Sequence, residues 1–160
     1  EDDFETVADI QIDAFIPDSY IKNEALKLDI YRRIAAVENE EERSDMLEEL
    51  IDRFGEPPTA VMNLLAITLL RGRAHSLYIK EVQTRPDCVT LTMYEKAKSR
   101  VERIPELLER MGGNMTFRKT DPPQFVCQLK GGRRRFSGSL LEITGEVLTE
   151  MELLKEQEAK

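Results

Sequence analysis

Between Pro57 and Leu77 the chain carries Val61, Leu64, Leu65, Ile67, Leu69 and Leu70, with Ala60, Ala66 and Ala74 among them. On a helix these residues put apolar side chains on nearly every side, whereas a helix lying on a surface shows a single stripe. Such a segment must be buried over most of its circumference, and any fold open to this chain has to be arranged around it. Pro57 and Pro58 suit its first turn, and Gly55 suits the left-handed residue that closes a preceding helix, so two helices meet there. Gly72 interrupts the interior at a cost of about 1 kcal/mol relative to alanine, which leaves close packing and fraying as two explanations.

The surrounding periodicities supply the remaining elements. Residues 1–9 are acidic and poor in large apolar side chains, which predicts a frayed lead-in, and residues 10–14 alternate as a short strand stopped by Pro17. The alternation runs on to Phe15, and Asp18 and Ser19 offer a cap for a helix over 23–37 that turns Leu26, Ile30, Tyr31 and Ile34 to one face. A second helix, 41–54, places Leu47, Leu50, Ile51 and Phe54 on one side and Asp45, Glu48, Glu49 and Asp52 on the other. After Leu77 the period shortens to two. Residues 78–84 and 89–93 make a hairpin about Arg85-Pro86-Asp87, and a second hairpin turns at Asp121-Pro122-Pro123 with Phe125, Cys127 and Leu129 inward. Val101, Ile104, Leu107, Leu108 and Met111 mark a helix between the hairpins, closed by Gly112-Gly113, and a last amphipathic helix covers about 137–156. The predicted class is α+β: three N-terminal helices packed on a small mixed or antiparallel sheet of ββαββ type, ending in a long helix. Residues 10–156 read as a single domain and 157–160 as a polar tail.

Charge narrows the function. The net charge of −8 argues against neutralising nucleic-acid phosphates in bulk. It is unevenly spread: residues 1–58 hold 6 Lys/Arg against 18 Asp/Glu, giving −12, and the remainder holds 17 against 13, giving +4. The acidic front invites a basic partner. Cys88 and Cys127 have neither disulfide-framework nor zinc spacing and suggest a reducing, cytoplasmic setting. The chain lacks an apolar run of membrane-spanning length, so no membrane partner is expected, and its start at Glu1 in a polar run suggests a piece of a longer protein. One histidine, His75, cannot assemble a metal site with two distant cysteines, and no GxxxxGK[ST] or GxGxxG loop is present, so neither an enzyme nor a cofactor is expected. Arg133, Arg134 and Arg135, after Gly131-Gly132, are the candidates for a phosphate or nucleic-acid contact, with a solvated loop as the simpler alternative. The carboxylate row Asp45, Glu48, Glu49 and Asp52 likewise reads either as a solvated face or as a partner-binding one.

Three words in order, Ile16-Pro17-Asp18-Ser19-Tyr20-Ile21, Tyr31-Arg32-Arg33-Ile34-Ala35 and Glu49-Leu50-Ile51-Asp52-Arg53-Phe54-Gly55-Glu56-Pro57-Pro58, resemble the C-terminal domain of bacterial transcription-repair coupling factors (Mfd). The resemblance is sharp to Leu77 and continues in pattern beyond it. It implies a domain without chemistry of its own, because the ATP-driven motor that acts on DNA lies upstream in that family. It also implies a lid that docks on an N-terminal UvrB-like module of the same full-length chain and masks the surface that recruits UvrA, until the motor engages stalled RNA polymerase. Carried onto this chain, the matching positions are Glu49 and Asp52, whose carboxylates, three residues apart on a helix, suit a pair of arginines. Glu48 and Asp45 extend the row, and Arg53 and Phe54 are structural on this reading. A nucleic-acid-binding accessory domain using Arg133–Arg135 is the alternative.

Overall fold

The computed structural model describes residues 4–95 and 103–159, so the expected contribution of Val101 lies outside the described residues. Among them are helices α1 (Glu24–Ala35), α2 (Glu40–Phe54), α3 (Thr59–Ser76), α4 (Ile104–Arg110) and α5 (Leu140–Ala159). The strands are β1 (Val7–Asp9), β2 (Ile79–Arg85), β3 (Cys88–Met93), β4 (Met115–Arg118) and β5 (Gln124–Gln128), which makes the fold α+β. Within the chain two compact units can be told apart, one of Ile12–Gly72 and the other of Glu1–Gln11 with Arg73–Lys160. The division falls within α3.

The helical unit is built on Ile30 and Ile34 of α1, Met46 and Leu50 of α2, and Val61 and Leu65 of α3, all buried, with Ile16, Ile21 and Val37 from the connections. Asn23, rather than Asp18 or Ser19, caps α1 by accepting from the Leu26 amide at 2.9 Å. Asn39 does the same for α2 through the Glu42 amide at 2.8 Å. Gly55 closes α2 at φ +89°, the left-handed region that glycine occupies at no steric cost. Before the helices, the segment expected as a strand over 10–15 has no ladder: the Gln11 amide donates to the Thr84 hydroxyl at 2.8 Å, the Asp13 carbonyl accepts from the Asn63 side chain at 2.9 Å, and the Ile16 amide just beyond donates to the Tyr31 hydroxyl at 2.8 Å. In α3 only Thr59, Gly72 and Ser76 are exposed, as all-round apolarity requires. Gly72 is continuous helix with open space where a Cβ would stand, so neither close packing nor fraying explains it.

One charged contact joins α1 to α2. Arg33 grips both carboxylate oxygens of Glu49, and Arg53 adds a bond at 2.9 Å from one turn along α2. The hydrogen bonds from Arg33 and then Arg53 hold the Glu49 carboxyl down to about 2.

In the other unit the sheet runs β1-β2-β3-β5-β4. The two predicted hairpins form, with Arg85 opposite Cys88 across the first turn and β5 rather than β4 beside β3. Val82, Leu91, Phe125 and Phe117 lie in one cross-strand row, and Val89, Cys127 and Met115 in the next, on the apolar face. Cys88 pairs with Gln128 and Cys127 with Val89, both cysteines are free, and burial pushes the Cys127 thiol up to about 11. Ile143, Thr144, Val147, Leu148 and Leu154 of α5 are buried, and α5 continues past residue 156, where a polar tail was expected.

The lead-in is not frayed over its described part. Residues 7–9 form β1, parallel to β2 with Val7 opposite Glu81 and Asp9 opposite Gln83. Thr6 donates its hydroxyl to the Ile79 carbonyl at 2.7 Å, and the Phe4 ring stacks on His75 at 4.3 Å and on Tyr94 at 4.4 Å. An edge strand of three residues with anchoring contacts some seventy residues away leaves no periodicity to read.

Asn114 organises the glycine and arginine loop. It is buried, donates Nδ2 to the Gln128 carbonyl at 2.8 Å and accepts from the Arg134 amide at 3.0 Å. A Cβ on Gly132 would lie 1.9 Å from Asn114 Oδ1 and 3.0 Å from its backbone nitrogen. Glycine is needed there for room.

Three stability measurements check this description. Gly72→Ala should stabilise by about 0.5–1 kcal/mol in denaturant unfolding, since it removes a helix penalty and adds no clash. Gly132→Ala should destabilise by about 2 kcal/mol by displacing Asn114 from its two partners, seen as a lower thermal midpoint. Glu49→Gln should cost about 1 kcal/mol at pH 7, an exposed pair being screened by solvent. Because the folded-state value lies below the ~4.3 of an unfolded glutamate, the contribution is complete above that pH and fades as pH falls toward 2. The gap between the two proteins should narrow over that window; a gap independent of pH would remove the ionic account of the contact.

Candidate functional site

The acidic face of α2 is set by the residues it buries. At about 100° per residue, Met46 and Leu50 define an inward direction, and Glu41, Asp45, Glu48 and Asp52 fall on the far side of the helix. All four are exposed. Asp45, Glu48 and Asp52 have no ion-pair or hydrogen-bond partner among the described residues, so their charge is offered to solvent or to another molecule. Glu49 sits on the flank, about 80° from the inward direction, and its carboxylate is already spent on Arg33 and Arg53. The predicted foursome is therefore three available carboxylates and one engaged. A partner arginine reaches Glu49 only by exchange with one of its present partners.

Two features of this face are absent from the sequence expectation. Ile51, assigned there to the buried side, is 37% exposed, because the inward direction is centred on Met46 and Leu50 and leaves Ile51 beside Glu48 on the outer flank. Arg33, Ala36, Val37, Glu42, Asp45, Met46 and Glu49 line a cleft of about 310 Å3 between the end of α1 and α2. Its aliphatic floor and the free Asp45 carboxylate suit a long basic side chain, whose stem lies on apolar atoms, while Arg33 on the same rim already occupies Glu49. Ile51 was legible in principle from its angular position; the cleft depends on how two helices meet and was not.

The arginine loop separates into unequal members. Arg134 turns inward, where it bonds Glu146 at 2.8 Å and Glu150 at 2.7 Å, and Arg110 meets the same Glu150 at 2.8 Å. Those hydrogen bonds work against burial to lower the Glu150 pKa, and Arg134 is held charged. Arg133 is 74% exposed with only a loose pair to Glu109 at 3.9 Å, and Arg135 is exposed and bonds the Gly132 carbonyl. Two of the three arginines remain outward. His75 lies in the last turn of α3 with Nδ1 3.2 Å from the Thr6 hydroxyl, in the aromatic stack already described. Among the described residues no three His, Cys, Asp or Glu side chains converge as metal ligands, and no helix is long and apolar enough to cross a membrane.

An outward acidic stripe on the second of three N-terminal helices, with a ββαββ sheet unit following, can be compared with known proteins. The family model described as "TRCF domain" matches residues 10–104. The transcription-repair-coupling factor of Bacillus subtilis is 33% identical over 99 residues, 62% of this chain and 8% of that protein. Those of Staphylococcus haemolyticus and Rickettsia prowazekii are 32% and 30% identical, each over 74% of this chain, and 9% and 10% of their own lengths. The chain thus spans about a tenth of the length of these relatives. A solved structure titled "Crystal structure of C-terminal domain of transcription-repair coupling factor" superposes with a TM-score of 0.69 at 25% identity, covering 94% of this chain and 96% of that one. With the family match running over residues 10–104, from ahead of the first helix through both strands of the first hairpin, and the fold match running nearly end to end, the chain belongs to the TRCF domain family.

Proposed function

We propose that this chain is a non-catalytic regulatory domain in transcription-coupled nucleotide excision repair, docking by the acidic face of α2 on a basic patch of the UvrB-like N-terminal module in its own full-length, cytoplasmic protein. Docking would mask the surface that recruits UvrA; contacts with RNA polymerase, DNA and ATP would belong to other parts of that protein. The observation that carries the reading is the stripe Asp45, Glu48 and Asp52, exposed and unpartnered among the described residues, with Ile51 as an apolar contact beside it. No fold contact holds these three carboxylates among the described residues, which leaves them available to a basic partner. The cleft over Ala36, Val37 and Met46 gives a partner arginine or lysine a place for its stem, with Glu49 available by exchange.

The energetics suit a releasable contact. Exposed ion pairs contribute about 0–1 kcal/mol each, so three or four with one apolar contact make a weak latch. A partner in the same chain sits at high effective concentration, and weak docking is then sufficient to keep the surface covered.

Reversal of Glu48 and Asp52 to lysine in the full-length protein should leave the melting curve unchanged and raise UvrA capture several-fold. It should also abolish capture of this chain by the separate N-terminal module. Unchanged UvrA capture by a well-folded double variant would overturn the latch.

A further inference from the structure

The sheet unit carries a second feature that the acidic stripe does not use. Pro86, Leu129, Lys130, Gly131, Arg135, Phe136 and Ile143 line a groove of about 370 Å3. Four of these seven are apolar, two are cationic and none is acidic, in a chain whose net charge is −8. The groove is built rather than incidental. The Leu129 amide bonds the Asp87 carbonyl at 2.9 Å, the Arg133 amide bonds Gly112 at 2.8 Å, and Arg134 is tied to Asn114, Glu146 and Glu150. Fixing residues 129, 133 and 134 leaves Lys130 exposed on the backbone between them and Arg135 exposed just beyond, steadied by the Gly132 carbonyl. Lys130 has no partner among the described residues.

We propose that this groove is a docking site for an acidic peptide segment of a partner protein, one apolar side chain seated over Leu129, Phe136 and Ile143 and flanking carboxylates meeting Lys130 and Arg135. Charge complementarity selects the occupant: two exposed cations beside an apolar floor, with no carboxylate among the lining residues, attract a short acidic segment that also carries an apolar side chain. Single-stranded nucleic acid fits less well. It needs successive rings to stack bases, and the one ring here, Phe136, has the Arg134 guanidinium 5.9 Å from its centroid. The groove shares no residue with the proposed α2 latch, so either proposal can fail alone.

The probe is a short fluorescein-labelled peptide carrying glutamates around a Leu-Phe pair, titrated into the chain and followed by fluorescence anisotropy. Binding should weaken about tenfold with Lys130→Glu and Arg135→Glu together, and comparably when glutamines replace the peptide's glutamates. Amide shifts on binding should centre on Leu129, Gly131, Phe136 and Ile143. Both substituted side chains are exposed, and an unchanged circular dichroism melt confirms that the variant is folded. Equal affinity for variant and parent overturns the proposal. So does tighter binding of a single-stranded oligonucleotide than of the peptide, which would make the groove a nucleic-acid site. Sedimentation showing a dimer that the double variant abolishes would instead assign the groove to a second copy.

Discussion

Burial of Met46 and Leu50 fixes the rotation of α2, and that rotation decides where every other side chain on the helix goes. Complete burial of a leucine contributes on the order of 1.5–3 kcal/mol, several times what an exposed ion pair offers, so the apolar contacts set the geometry and the charges follow. Asp45, Glu48 and Asp52 are turned outward because the helix cannot be turned otherwise. Glu49, one position from the buried Leu50, is the carboxylate close enough to α1 to meet Arg33. A site with this origin is stable in orientation and weak in each contact, which is what a reversible surface requires.

The sheet unit solves a different problem. Its loop 130–135 is rich in glycine and arginine and would be expected to wander, yet Asn114 from one side and Glu146 and Glu150 from the other hold it. Arg134 and Glu150 are each half-buried and each meets two charged or polar partners, which offsets the cost of partly withdrawing their charges from water. Order in this loop thus comes from a few polar contacts, whereas order in the helical unit comes from close-packed aliphatic side chains.

What was legible in the sequence was whatever depends on neighbours a few residues away. The helices, both hairpins, Gly55 at the end of α2 and Gly112-Gly113 after α4 all announce themselves through periodicity or left-handed turns. The failures share the opposite character. β1 exists because β2, some seventy residues later, offers it an edge. Glu49 is occupied because Arg33 lies across a helix boundary, and Gly132 is a glycine because Asn114 occupies its side-chain space. Equivalent-looking residues, three arginines in a row or four acids on a face, were separated only by tertiary partners.

The register of β3 against β5 bears on the cysteines. Cys88 and Cys127 stand on adjacent strands, one position out of step, and successive residues of a pleated strand point to opposite sides. Their sulfurs are therefore insulated from each other by the thickness of the sheet, and bridging them would require the strand backbones to move. That the two cysteines are not joined to each other follows from β pleating and carries no information about the redox potential of the surroundings. An oxidising compartment would leave this pair unjoined as surely as a reducing one.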